Sequence, residues 1–163
     1  MNKEKLTVKL ASMFHENWRS TRLNSAGDYE PHWKEIKDKK FIEKLAGSIK
    51  LPVNVKVKDN IFYIDIANSP FEQLSADWQE ENYNAAKVVV DILCYEEKKG
   101  KLEINSVGNI IHNAWLSRNE WAKGGELDVP FEQLSKEEQD KYLQQYYTGR
   151  KMLNKQQENG ITL

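Results

Sequence analysis

The chain has 163 residues, 39% of them hydrophobic and 30% charged, with a formal net charge of -1. That length fits one ordinary domain or two small ones sharing a core, and the composition describes a globular protein with a well-solvated surface. The near-neutral balance gives no electrostatic footprint for nucleic acid or anionic membrane. The lone Cys94 excludes an internal disulfide and a multi-cysteine metal site, and no segment reaches the length of a membrane span.

The first element is a helix from Leu6 to about Leu23, striped by Leu6, Leu10, Met13, Phe14 and Trp18 at three- and four-residue spacing. Turn formers at residues 24–28 end it. Pro31 suits the start of a second, weaker helix carrying Trp33, Ile36, Phe41 and Leu45 and stopping at Gly47. The period then changes. Val53, Val55 and Val57 alternate with polar residues, as do Phe62, Ile64 and Ile66, and Asp59-Asn60 lies between the two runs. Residues 53–66 therefore read as a β-hairpin with one buried face.

Ser75 is placed to cap a long helix striped by Trp78, Ala85, Val88, Val89 and Ile92, with Asp77 in its first turn. Cys94 sits at the end of that apolar run and reads as a buried, inert thiol. Residues 96–101 are a charged linker, and adjacent carboxylates such as Glu96 and Glu97 suit solvent. A helix bearing Ile104, Val107, Ile111, Ala114 and Trp115 follows and is interrupted near residues 119–125. Ser135 and Glu138 have capping-box spacing ahead of a last helix with Tyr142, Leu143 and Tyr146. After Gly149 the tail, residues 149–163, reads as polar and frayed.

The most informative feature is a repeat. Pro-Phe-Glu-Gln-Leu-Ser stands at residues 70–75 and again, letter for letter, at residues 130–135. Upstream of each copy is a His-x-x-Trp helix with a trailing arginine: His15, Trp18, Arg19 and Arg22, then His112, Trp115 and Arg118. The first copy has far more chain between its two halves, so the hairpin reads as an insertion into a minimal helical pair. The proline fixes φ, the phenylalanine and leucine anchor the turn, and the serine caps the next helix, which makes the motif a folding device.

These residues resemble the ryanodine receptor repeat (RyR) domain family. His15-Glu16-Asn17-Trp18 with Arg22-Leu23, then residues 70–75 and a helix rich in Ala and Val, are similar to one such repeat; residues 111–115 and 129–138 are similar to a second. The resemblance covers residues 10–95 and 104–146 and implies a small stand-alone member of bacterial or phage type. It implies an α+β fold, mainly α, with two pseudo-symmetric helical-pair repeats and a hairpin inserted in the first. In the giant channels such domains are peripheral to the pore, so the resemblance implies a fold and no reaction. The expected organisation is a first repeat over residues 1–95 with its insertion at 24–68, a second, shorter repeat over residues 104–148, and the tail, packed as one globular unit. The second copy is expected to lack a long apolar helix after its motif.

Two readings of the His-x-x-Trp helices compete. As a recognition surface, His15, Trp18 and Arg22, with Trp33, and His112, Trp115 and Arg118 offer indole for stacking, arginine for an anionic group and histidine for a polar edge. On that reading a nucleotide-like or aromatic ligand lies between the repeats. As scaffold, each Trp is core and each His makes a structural hydrogen bond to a neighbouring backbone group. No Gly-rich phosphate loop, nucleophile elbow or His-x-x-x-His spacing is present, so neither an enzyme nor a metal or cofactor site is expected. The alternative function is a protein-interaction or homodimerisation module of a phage or mobile-element accessory protein, motivated by Trp33, Trp78, Trp121, Tyr146 and Tyr147. Nucleic acid ranks below both, and a reducing, cytoplasmic setting is the expectation.

Overall fold

The computed structural model describes residues 2–160. The fold is α+β and mainly α. Its elements are α1 (Lys3–Ser20), β1 (Trp33–Glu35), α2 (Lys39–Ala46), β2 (Val55–Lys58), β3 (Ile61–Asp65), α3 (Ala76–Lys99), α4 (Ile104–Arg118) and α5 (Lys136–Glu158), with short 3₁₀ turns at Phe71–Gln73, Glu120–Ala122 and Phe131–Gln133. The chain divides into two compact units. Ala11–Asn82 form one, and Tyr83 onward together with the chain up to Leu10 form the other. The divisions therefore fall inside α1 and α3, not in the charged segment expected to separate two repeats.

In the first unit, β1, β3 and β2 make an antiparallel sheet in that order. The hairpin expected at residues 53–66 is β2 and β3, closed by Asp59 (φ 52°) and Asn60 (φ 62°). Two successive left-handed residues make the turn whose twist matches the strands, and Asp and Asn tolerate that conformation well. One face of the sheet is buried where β2 meets β3 at Val55 and Ile64, with Ile64 fully buried and Val55 nearly so.

The helix expected from Pro31 to Gly47 is not formed as such. Trp33–Glu35 is a strand paired with β3, and Ile36 N–H donates to Phe62 O at 2.9 Å. Only Lys39–Ala46 is helical. The reason is hydrogen-bond supply: β3 has a second edge to satisfy, and Asp38 caps a helix that can start only after it. Asp38 Oδ1 accepts from the N–H groups of Lys40 and Phe41.

In the second unit α4 and α5 pack together, with the remainder of α3 and the start of α1 supplying Leu6, Leu10, Val89, Val90 and Leu93, all fully buried. The expectation of a frayed tail is overturned. α5 continues through Glu158, and Gly149, Met152 and Leu153 are buried. Gly149 resembled a stop signal, yet its role is close approach: a Cβ there would lie 2.6 Å from Val89 Cγ1 and 3.3 Å from Leu10 Cδ2. The second copy thus does have a long helix after its motif. Its buried stripe, which includes Tyr142, Tyr146, Gly149 and Gln156, is simply not apolar enough to announce itself. Residues 161–163 of the expected tail lie outside the described residues.

The charged linker is also corrected. α3 runs to Lys99, and the Glu96 side chain is only 1% exposed. Its carboxylate accepts from Tyr146 Oη at 3.0 Å and from Leu102 N–H at 2.9 Å, and it pairs with Arg150. Cys94 is half-buried rather than sealed.

Candidate binding site: two histidine clips and their tryptophans

The repeated motif is built the same way in both units. Pro70 (φ -58°) and Pro130 (φ -54°) each lead into a 3₁₀ turn whose bonds match closely. Gln73 N–H donates to Pro70 O, and Gln133 N–H to Pro130 O, both at 2.9 Å. A residue before proline is held extended, so its carbonyl projects away from the turn and needs a donor. The histidine supplies it. His15 Nε2–H donates to Ser69 O at 2.7 Å, and His112 Nε2–H donates to Val129 O at 2.8 Å. A carbonyl only accepts, so the proton on Nε2 is fixed in both rings. Both histidines are buried. Burial pushes the His15 pKa down, against the opposing pull of its bond to Ser69.

A second tie, from equivalent glutamines to non-equivalent carbonyls of the motif, has no counterpart among the sequence expectations. Four residues after each motif serine, Gln79 Nε2 donates to Phe71 O and Gln139 Nε2 to Leu134 O, both at 3.0 Å.

The capping serines differ. Ser135 Oγ accepts from Glu138 N–H at 3.2 Å, as its spacing predicts. Ser75 Oγ is buried and has no partner, so Ser75 does not cap α3. Asp38 does so instead: its Oδ2 accepts from Ala76 N–H at 3.2 Å, and Asp77 Oδ2 accepts in turn from Lys37 N–H at 2.9 Å.

Each tryptophan lies against its clip histidine. Trp18 stacks on His15 with centroids 5.9 Å apart, and Trp115 on His112 at 6.3 Å. Both indoles stay half-buried, between the sealed core of the scaffold reading and the open surface of the recognition reading. A further ring meets each edge-on: His32 at 5.5 Å from Trp18, and Trp121 at 5.7 Å from Trp115. Tyr142 adds another edge to the second cluster, and burial raises its phenol to about 12, so it stays a neutral ring. Neither Trp121 nor Tyr142 was among the expected site residues, because nothing in their spacing ties them to His112.

The arginines are not equivalent. Arg22 places its guanidinium 4.9 Å above the Trp18 ring. Arg19 is structural: its Nε donates to Ala67 O at 2.9 Å, and it pairs with Glu16. Arg118 turns back along its own helix and donates to Ala114 O. Trp33 does not join Trp18; its ring lies under Lys56 Nζ at 4.1 Å. On the segment that carries Trp115 and Trp121, Leu116, Ser117, Glu120, Lys123 and Asp128 line a surface pocket of about 280 Å³.

Among the described residues no three His, Cys, Asp or Glu side chains converge as metal ligands, and no helix is long and apolar enough to cross a membrane. Comparison with family models, with curated proteins and with solved structures finds no match.

Proposed function

We propose that this chain is a non-enzymatic binding module, a small stand-alone member of the RyR repeat family, whose histidine clips hold tryptophan rings as platforms for a flat, nucleotide-like or aromatic ligand. The observation that carries the reading is that the histidine of each copy is buried with its Nε2–H held by a backbone carbonyl, while the tryptophan stacked on it stays half-exposed beside a ring that meets it edge-on. A corner of two rings meeting edge-on is a rigid apolar seat that costs little side-chain entropy on binding. The second copy is the stronger seat, because Arg22 already covers Trp18, whereas Trp121 is 75% exposed. The neighbouring pocket sets Lys123 beside Glu120 and Asp128, which supplies polar partners for a substituent of the ring. The single Cys94 suits a reducing, cytoplasmic setting.

Titration with adenine nucleotides and with free aromatic metabolites, followed by indole fluorescence and thermal shift, tests this. The expected result is quenching with stabilisation that Trp121→Ala abolishes and Trp18→Phe leaves intact. Absence of both signals at saturating concentrations removes the proposal.

The second reading is self-association through the same exposed Trp121, helped by Tyr147 at 47% exposure. It predicts a mass that rises with concentration in light scattering and returns to the monomer in Trp121→Ala.

A further inference from the structure

The three-stranded sheet buries one face around Ile64 and Val55, and most of its other face is open and chemically distinctive. In an antiparallel sheet directly opposed residues point the same way, and side chains alternate along each strand. Ile64 and Val55, opposed in register, are buried and mark the inner face. The outer face therefore carries Trp33 on β1, Ile61 and Tyr63 on β3, and Lys56 and Lys58 on β2, with Lys56 directly opposite Tyr63; Asp65, opposite Trp33, is buried with its oxygens accepting from the N–H groups of His32 and Ala67 and from Asn68.

Trp33 and Tyr63 are both half-buried, so each leaves ring surface in solvent. Lys56 Nζ lies 4.1 Å from the Trp33 centroid and 6.0 Å from that of Tyr63, so the two rings turn their surfaces toward the same ammonium. The open face is thus two aromatic rings on diagonal positions of adjacent strands, with lysines along one edge. Glu35, opposite Tyr63, is the one carboxylate exposed on that face among the described residues. The basic character extends along the chain: residues 31–58 hold eight lysines against Glu35, Asp38 and Glu43, and Asp38 is committed to helix caps. A net charge near zero for the whole chain conceals this local excess.

We infer that the outer face of the sheet, Trp33 and Tyr63 with Lys56 and Lys58, is a stacking surface for a single-stranded nucleic acid segment. Bases stack on the two rings, which recognise the π-face common to every base. Lys56 moves from the rings, and Lys58 from solvent, to the phosphates that follow them. Duplex is disfavoured, because its bases are already stacked on one another and cannot reach the rings.

The test is fluorescence anisotropy with a labelled oligothymidylate and a duplex of equal length, using the intact chain at low and at near-physiological salt. The expected result is binding of the single strand in preference to the duplex, weakening with salt. Lys56→Gln with Lys58→Gln flattens the salt dependence by about 0.7 in log-log slope for each phosphate that is no longer neutralised. Tyr63→Ala weakens binding about five-fold or more and leaves that slope unchanged. Trp33→Ala repeats the test from the other strand, and circular dichroism confirms that each variant is folded. No binding at low salt overturns the inference. So does equal affinity for the duplex, or a single-strand affinity indifferent to all three changes in folded protein.

Discussion

The two copies of Pro-Phe-Glu-Gln-Leu-Ser share every letter and the same turn geometry, yet their serines do different things. Ser135 caps α5 with its own hydroxyl, whereas Ser75 is buried without a partner and leaves α3 to be capped by Asp38, thirty-eight positions upstream of Ala76. The carbonyl acceptors differ too. Ser69 is itself fixed, donating from Oγ to Asp65 O and accepting from Asn54 Nδ2, while Val129 has no polar side chain to be held by. The clip is the constant part of the repeat, and what surrounds it is supplied by whichever chain happens to be adjacent. An identical motif therefore specifies a local shape and does not specify how its polar groups are satisfied.

The sharpest way to break the comparison is at the position four residues before each histidine. The second copy has Gly108, where a Cβ would sit 2.4 Å from the Phe131 ring, and the first has the fully buried Ala11. Gly108→Ala is expected to cost about 1–3 kcal/mol by overpacking, despite the better helix propensity of alanine. Ala11→Gly is expected to cost about 1–2 kcal/mol, from helix propensity together with the loss of a buried methyl. Urea unfolding of both variants decides, and a neutral Gly108→Ala shows that the phenylalanine can move aside.

Asp38→Ala comes next. It removes caps from α2 and α3 together, and at about 1 kcal/mol for each cap the expected loss is about 2 kcal/mol, read from the urea midpoint at constant m-value. A loss confined to one cap would mean that Ser75 takes over α3.

The serines give the most direct contrast. Ser135→Ala is expected to destabilise by about 1 kcal/mol, and Ser75→Ala by close to nothing, because the hydroxyl it removes has no bond to lose. Equal losses in the two variants would restore the equivalence that the sequence suggests.

The smallest expected effect concerns pH. His15 has its folded pKa depressed below the ordinary 6.5, chiefly by burial. The unfolded chain then binds the proton first, so the contribution of His15 is fully present above about pH 6.5 and is lost as pH falls from there through the folded pKa. His15→Gln is expected to be less stable at neutral pH and to show a shallower decline on acidification. A decline as steep as that of the parent would assign the effect to other groups, His32 among them, whose pKa burial also lowers.

Much of this architecture was legible because it is written in short-range signals. The hairpin follows from alternation and from Asp59-Asn60, α1 from its apolar stripe, and the repeat from identity alone. What was misread depends on partners distant in sequence. Trp33–Glu35 is a strand only because β3 offers an edge, and three residues are too few to display a period. Gly149 continues a helix because Val89 and Leu10 approach it. Glu96 is buried because Arg150 and Tyr146 arrive from α5. The candidate site divides along the same line. His15 and His112, with Trp18 and Trp115, were found through the repeat, while His32, Trp121 and Tyr142 complete the ring clusters through tertiary packing that no spacing encodes.

The Glu96 carboxylate also bears on how the chain is made. It holds the turn into α4 through Leu102 N–H, yet its own compensation comes from Tyr146 and Arg150, fifty and fifty-four residues further on. While those residues are still inside the ribosome, α3 ends in an unpaired anion that water must solvate, and the α3 to α4 connection has no reason to close. Arrival of α5 converts that carboxylate from an obstacle into an anchor. A helix synthesised after α3 and α4 thereby decides when the connection between them can settle.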